Sequence, residues 1–381
     1  MFSGRLKWDV HANPISRLVA QKRAEGVAVL DLTESNPTHA GLSYPAELLA
    51  PLSDSRALRY DPDPRGMLSA REAVADYYAQ RGVAVGVDRI LLTASTSEAY
   101  SYLFKLLADP GDEVLAPRPS YPLFEFLASL ESVQVRSYPL RYDGAWHIDF
   151  EALEKALSPR TRAIVVVNPN NPTGQFLKQA ELDRLESLCA SRGIAILSDE
   201  VFCDYAHGED SRRVRTLAGK AGALKFSMSG LSKIAGLPQL KLGWIVASGD
   251  VAGEACERLE WIADTYLSVA TPVQVALPSL LASSAGQQIQ SRTAENLDWL
   301  RQFVQGTALN ILTVEGGWYA VAQVPRTRSE EEWVLALLEY HNVLVQPGFF
   351  YDFESEAFLI LSLVTEPVQF QEGVRRILAI L

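Results

Sequence analysis

Five short, nearly unbroken apolar runs constrain this chain's fold more than any other feature. They are RILLTA (89–94), DEVLAP (112–117), RAIVVVNP (162–169), GIAILSDE (193–200) and LGWIVAS (242–248). They do not alternate apolar with polar residues, so each predicts a strand buried on both faces, as in a parallel sheet covered by helices. Between them, SEAYSYLFKLLA (97–108) and QAELDRLESLCASR (179–192) place apolar residues three and four apart, the helical period. Strand–helix–strand alternation predicts an α/β fold with a mostly parallel sheet.

The texture changes after Pro272. A long helical region to about Val304 precedes ALNILTVEGGWYAVAQV, a helix near 330–341, VLVQPG, AFLILSLV and a final helix near 368–380. The expected organisation is a large α/β domain over 46–272. A smaller α+β domain combines 1–45 with 273–381. At 381 residues the chain is long enough for two such units. A net charge of −11 argues against a nucleic-acid-binding face. No apolar run is long enough for a membrane span, and the first residues lack the apolar core of a signal peptide. Cys189, Cys203 and Cys256 form no CxxC pair, so neither a disulfide framework nor a zinc site is expected, and a reducing cytoplasm is the default. There is no Gly-x-Gly-x-x-Gly and hence no support for a dinucleotide site of that type.

Ligands of open parallel sheets lie at the carboxyl ends of the strands, and four polar clusters fall there. NPNNPTG (168–174) forces a turn with its amides outward. SDEVF (198–202) ends a strand in two carboxylates; Asp199 reads either as a helix cap or as a carboxylate held for a bound cation. TASTSEAY (93–100) opens a helix with small hydroxyl residues, which serve as plain caps or as a phosphate cradle. The fourth is SMSGLSKIAGLPQLKLGW (227–244). Desolvation and neighbouring positive charge lower a lysine's pKa and make it a nucleophile. Lys233 has small, apolar flanks, and Lys241 lies eight residues on.

Together, NPNNPTG, SDEVF and SGLSK at this spacing resemble the class I/II aminotransferases, pyridoxal 5′-phosphate (PLP) enzymes of fold type I. The resemblance extends from about Ile15 to the C-terminus. It implies that Lys233 forms the aldimine with PLP and shuttles the proton, while Asp199 pairs with the pyridinium nitrogen. It further implies that Asn171 bonds the ring's phenolic oxygen and that Tyr121 stacks on the ring. Ser95, Thr96, Ser97, Ser229, Ser232 and Lys241 would hold the phosphate. Tyr60 would reach the phosphate of a neighbouring subunit, giving a homodimer with shared sites. Asn36, Asn171, Tyr121 and position 360 would face the substrate, with 34–45 and 347–353 lining its pocket. Glu34 and His39 read either as contacts to a polar substrate group or as a loop cap and a surface histidine. The substrates would be a small-molecule amino donor and a keto acceptor.

Three positions depart from the family pattern. Lys241 stands where an arginine is usual, which loses a bidentate fork to phosphate. Phe202 replaces a tyrosine that donates to the phenolic oxygen, which predicts a raised aldimine pKa unless Tyr205 compensates. Ile360 stands where an arginine grips the substrate carboxylate. Either Arg118 or Arg65 takes over, or the substrate is atypical; Arg375 and Arg376 lie too far along the last helix. The expected activity is transamination. The alternatives are a PLP lyase, decarboxylase or condensing enzyme, and a non-catalytic PLP-binding domain.

Overall fold

The structure, a computed structural model, describes residues 2–6, 8 and 11–381. Residues 1, 7, 9 and 10 of the expected N-terminal segment lie outside the described residues. The centre is an eight-stranded sheet. Its strands are β1 (Ile90–Thr93), β2 (Glu113–Arg118), β3 (Gln134–Tyr142), β4 (Trp146–Ile148), β5 (Thr161–Val167), β6 (Ala195–Asp199), β7 (Lys225–Gly230) and β8 (Gly243–Ser248). Their order is β1-β8-β7-β6-β5-β2-β3-β4. β3, β2, β5, β6 and β7 run parallel, whereas β8 is antiparallel to β7 and β1, and β4 to β3.

Both faces of the sheet are buried, which is why the central strands are apolar throughout. On one face Val165, Val167, Leu197 and Met228 pack with Ala99, Leu103 and Leu259. These last three come from the helices Thr96–Leu107 and Ala252–Asp264. On the other, Ile164, Val166 and Ile196 pack with Leu182, Leu185 and Cys189 of the helix Gln179–Arg192. Burying one such side chain contributes about 1.5–3 kcal/mol.

The expected strands at 89–94, 112–117, 162–169, 193–200 and 242–248 all form, shifted by a residue or two at their ends. β7 was not expected. Its sequence KFSMSG alternates hydroxyls with apolar residues, yet every residue is buried. The hydroxyls are satisfied internally: Ser227 Oγ donates to Glu200 Oε1 (3.0 Å) and Ser229 Oγ to the Glu200 carbonyl (3.3 Å). The expected long helix after Pro272 is two helices, Thr271–Leu281 and Ala285–Phe303.

A second sheet of four antiparallel strands comprises Asn310–Ile311, Tyr319–Gln323, Phe358–Ser362 and Gln346–Pro347 in that order. Leu30–Asp31 pairs in parallel with Val343–Leu344, tying the N-terminal segment to the C-terminal part. Strand Phe358–Ser362 separates two environments. Leu359 and Leu361 enter a core with Trp333, Leu337 and Phe370. Phe358 and Ile360 point the other way, into the cluster that contains Phe202, Trp318 and Tyr319.

Candidate active site

The carboxyl ends of β1, β2, β5, β6 and β7 and the start of β8 share one edge of the sheet, and the sequence clusters meet there. Asp199 is the last residue of β6 and lies opposite Val167, the last residue of β5. Its Oδ1 accepts from the Val201 N–H (3.3 Å) and its Oδ2 from the Tyr100 hydroxyl (3.2 Å). Burial pushes the Asp199 carboxyl up to about 6, while these two donors and the Lys233 charge pull it back down. Asp199 therefore sits among donors that favour its ionised form, against the desolvation of its partly buried position.

After β5, the three asparagines of NPNNPTG divide the work. Asn168 ties the loop down, donating to Val214 O (2.8 Å) and accepting from Leu177 N–H (2.9 Å). Asn170 Oδ1 closes the turn by accepting from the Thr173 hydroxyl (2.8 Å). Asn171 is buried, and its Oδ1 has no partner among the described residues. The loop is pressed tightly against Gly316: a Cβ on Gly174 (φ +72°) would lie 2.5 Å from the Gly316 carbonyl oxygen.

Lys233 sits in the short helix Leu231–Ile234 that follows β7. Its ammonium lies 4.6 Å from the centroid of Trp318 and 5.6 Å from that of Phe202. Burial drives the amine down to about 8, opposed by Asp199 alone. Its backbone is braced as well: the Tyr205 hydroxyl donates to the Lys233 carbonyl. That hydroxyl is thereby committed, so Tyr205 does not stand in for the hydroxyl that Phe202 lacks.

A second group of candidates gathers where β1, β8 and β7 end. Thr93 pairs with Gly243, and Gly243 with Gly230. A Cβ on Gly243 would lie 3.2 Å from the backbone of Ser95, and one on Gly230 would lie 2.8 Å from Gly243 Cα. This packing brings together the N-terminus of helix Thr96–Leu107, Ser232 and Lys241. Ser95 caps that helix by accepting from Glu98 N–H (3.2 Å). Among the described residues Thr96, Ser97 and Ser232 have hydroxyls without hydrogen bonds, and Lys241 is exposed without an ion pair. Ser229 does not join them. Its hydroxyl is buried within the sheet on the Glu200 carbonyl.

The other expected residues scatter. Tyr121 follows β2 and is half-exposed. Tyr60 is 77% exposed on a loop of the outer surface. Asn36 Oδ1 closes its own turn on Thr38 (3.0 Å to the N–H), and Glu34 Oε1 accepts from Asn36 N–H (2.7 Å) with His39 3.6 Å from its other oxygen. The loop-cap reading of Glu34 is thus realised. Arg65 is held within its own chain by Glu260 (2.6 Å) and the Asp88 carbonyl (3.0 Å). Arg118 pairs loosely with Asp352 (3.7 Å) and Glu125 (3.8 Å). Arg376 donates to the His341 carbonyl and is engaged with Glu372.

The model of the family "Aminotransferase class I and II" matches residues 28–377. The chain belongs to that family. This aminotransferase is 29% identical over 272 residues to glutamate-pyruvate aminotransferase AlaA of Escherichia coli K12, spanning 70% of this chain and 67% of that protein. It is 31% identical over 226 residues to human tyrosine aminotransferase, covering 58% and 49% of the two chains. Among solved structures, an Escherichia coli aminotransferase superposes with a TM-score of 0.87 at 23% identity, covering 100% of this chain and 97% of that one. Alanine aminotransferase from Pyrococcus furiosus gives 0.87 at 22% identity, with coverages of 100% and 99%. These likenesses establish the expected fold type I architecture, and the family is one that uses PLP. No helix among the described residues is long and apolar enough to cross a membrane.

Three residues of this aminotransferase's site escaped the sequence reading. Tyr100 ends the TASTSEAY stretch, but only its fold contact with Asp199 gives it a role in the site. Trp318 and Tyr319 follow Gly316-Gly317 and looked like strand core. Nothing in local sequence pairs them with Lys233; the contact spans 85 residues and two sheets.

Proposed function

We propose that this aminotransferase binds PLP at the sheet edge, with Lys233 as covalent anchor and proton carrier, and exchanges an amino group between a donor and a carbonyl acceptor. The observation that carries the reading is the Lys233 amine: desolvated against Trp318, with Asp199 as its one charged neighbour. An amine near pKa 8 keeps a sizeable neutral fraction at physiological pH, ready both to attack a carbonyl and to take a proton.

The residues present suit the cofactor. Asn171 has a buried, unpartnered amide oxygen, and side-chain amides are often assigned by their partners, so either end of that amide is available to a polar ring substituent. Asp199 titrates at about 6, so it is ionised at neutral pH, as a partner for a protonated ring nitrogen requires. The free first-turn N–H groups at Thr96 and Ser97, the Ser232 hydroxyl and the Lys241 ammonium suit a phosphate. Tyr121 offers a ring face. When bound, PLP supplies a carbonyl carbon for amine capture and a ring that accepts the electron pair released at the substrate carbon. Lys233 then holds and delivers the proton at that carbon, and Trp318 and Phe202 keep water from its amine.

The exposed Tyr60 supports a homodimer in which each chain lends its phenol to the phosphate of the other. The three free cysteines suit a reducing, cytoplasmic setting.

The test is absorbance of the purified, PLP-reconstituted protein. A visible band is expected in the wild type, absent in Lys233→Ala, together with loss of transamination. A Lys233→Ala protein that keeps the band and the activity would refute the assignment.

A further inference from the structure

The side of the site away from the phosphate cluster is formed by strands Tyr319–Gln323 and Phe358–Ser362, the Glu34–Ser35 loop and Tyr121. Tyr319 stands opposite Ser362 in the register, and Ser362 Oγ donates to the Glu34 carbonyl. The Tyr319 ring lies 6.3 Å from Phe202, which in turn lies 5.2 Å from Trp318. Burial pushes the phenols of Tyr319 and Tyr351 up, and the neighbouring Tyr121 phenol adds to the shift, so both stay neutral. Ile360 is buried on the same side of its strand as Phe358, in the cluster that holds Phe202 and Tyr319.

Charge on this side is sparse. Asp199 is the charged group that acts on the Lys233 amine, which otherwise lies over the rings of Trp318 and Phe202. The acid Glu34 is close enough to Tyr319 to act on its phenol. The Arg118 charge is offset by Asp352 (3.7 Å) and Glu125 (3.8 Å), and Arg292 donates to the Ala40 carbonyl (3.0 Å).

We infer that the preferred amino donor is a primary amine with an aromatic or branched aliphatic body and no carboxylate on the amine-bearing carbon. The inference rests on the proposed role of Lys233. A carboxylate placed among Ile360, Trp318 and Tyr319 would lose its hydration without gaining a cation, while facing Glu34. A neutral ring or branched chain gains burial against the same side chains. In the reaction, R–CH2–NH2 and the cofactor's carbonyl become R–CHO and the cofactor's amine. The substrate C–N bond breaks, and nitrogen and two electrons pass to the cofactor. The water released on condensation is returned on hydrolysis. An aldehyde or ketone acceptor reverses the same steps.

The experiment compares matched donors on the PLP-loaded wild type: 2-phenylethylamine with L-phenylalanine, and isobutylamine with L-valine. Conversion of the cofactor band is followed in single turnovers. The amine of each pair is expected to react at least about tenfold faster, the scale on which a site lacking a matched partner discriminates. Calorimetry adds a readout independent of turnover. The wild type is expected to bind 2-phenylethanol more tightly than 3-phenylpropionate, and Ile360→Arg to reverse that order. Should Ile360→Arg fail to fold, the wild-type comparisons decide alone. Equal or faster reaction of the amino acids, reaction of no donor, or tighter binding of 3-phenylpropionate by the wild type would each overturn the inference. A wild type that takes up no PLP would sink the Lys233 reading, and this inference with it.

Discussion

Two carboxylates stand side by side at the end of β6, Glu200 buried and Asp199 partly so, and their surroundings set them apart. Asp199 retains open coordination toward the site. Glu200 is fully enclosed, accepting from the hydroxyls of Ser198 (2.8 Å), Thr216 and Ser227 and from Leu217 N–H (2.8 Å). Burial nonetheless lifts the Glu200 carboxyl to about 7 from its ordinary 4.5. Because the folded state holds this proton more tightly than the unfolded chain, Glu200 contributes most below pH 4.5. That contribution is lost as pH rises through 7, about 3 kcal/mol in all. Denaturant titrations of the cofactor-free protein should show this decline, and Glu200→Gln should flatten it; an unchanged slope in the variant would contradict the assignment. Tyr100 is the other telling residue. Its hydroxyl lowers the proton affinity of Asp199, so Tyr100→Phe should raise the acid limb of PLP affinity by about one pH unit, the worth of one hydrogen bond to a charge. Fluorescence titration of PLP into apoprotein across pH measures this directly, and coincident wild-type and variant profiles would exclude the role.

At the scale of elements, the tight contact between β7 and β8 positions Lys233 and Lys241, the two lysines of SMSGLSKIAGLPQLKLGW. Gly230 and Gly243 face each other so closely that a Cβ at Gly230 would strike backbone, where no side chain can swing away. Gly230→Ala should therefore splay the two strands, costing about 1–3 kcal/mol as overpacking does. PLP affinity should fall along with the melting temperature, since Lys233 and Lys241 flank the contact within three and two residues. Retained affinity at a lowered melting temperature would show that the contact serves stability alone. The same elements explain what could be read from sequence. Strands covered on both faces are apolar throughout and stand out, as β5 and β6 do. β7 did not, because three polar side chains within it find buried partners that only the fold brings near. β3 did not either: it lies toward the sheet edge with exposed Gln134, Arg136 and Arg141 among its residues, and its pattern resembles a loop. The motif residues at strand ends were readable because turn chemistry is local. Tyr100, Trp318 and Tyr319 were not, because their relation to Asp199 and Lys233 depends on how the sheets pack.

For the whole molecule, the proposed sharing of sites makes a mixing experiment decisive. Lys233→Ala and Tyr60→Phe homodimers should each be impaired. Dissociated and reassociated together, they should recover activity above the sum of the two, because one site in the mixed dimer regains both groups. Strictly additive activity would place Tyr60 within its own chain or outside the chemistry. The pleat of strand Phe358–Ser362 has a consequence for how this molecule can change over time. Positions 359 and 361 lock into the small-sheet core, whereas 358, 360 and 362 look toward Phe202, Tyr319 and Glu34. Structural upkeep and chemical choice are therefore written on alternate letters of one five-residue word. A library randomised at 359 and 361 should sort into folded and unfolded members, and one randomised at 358, 360 and 362 by what the survivors accept. Selection can revise the second set while the first holds the scaffold still.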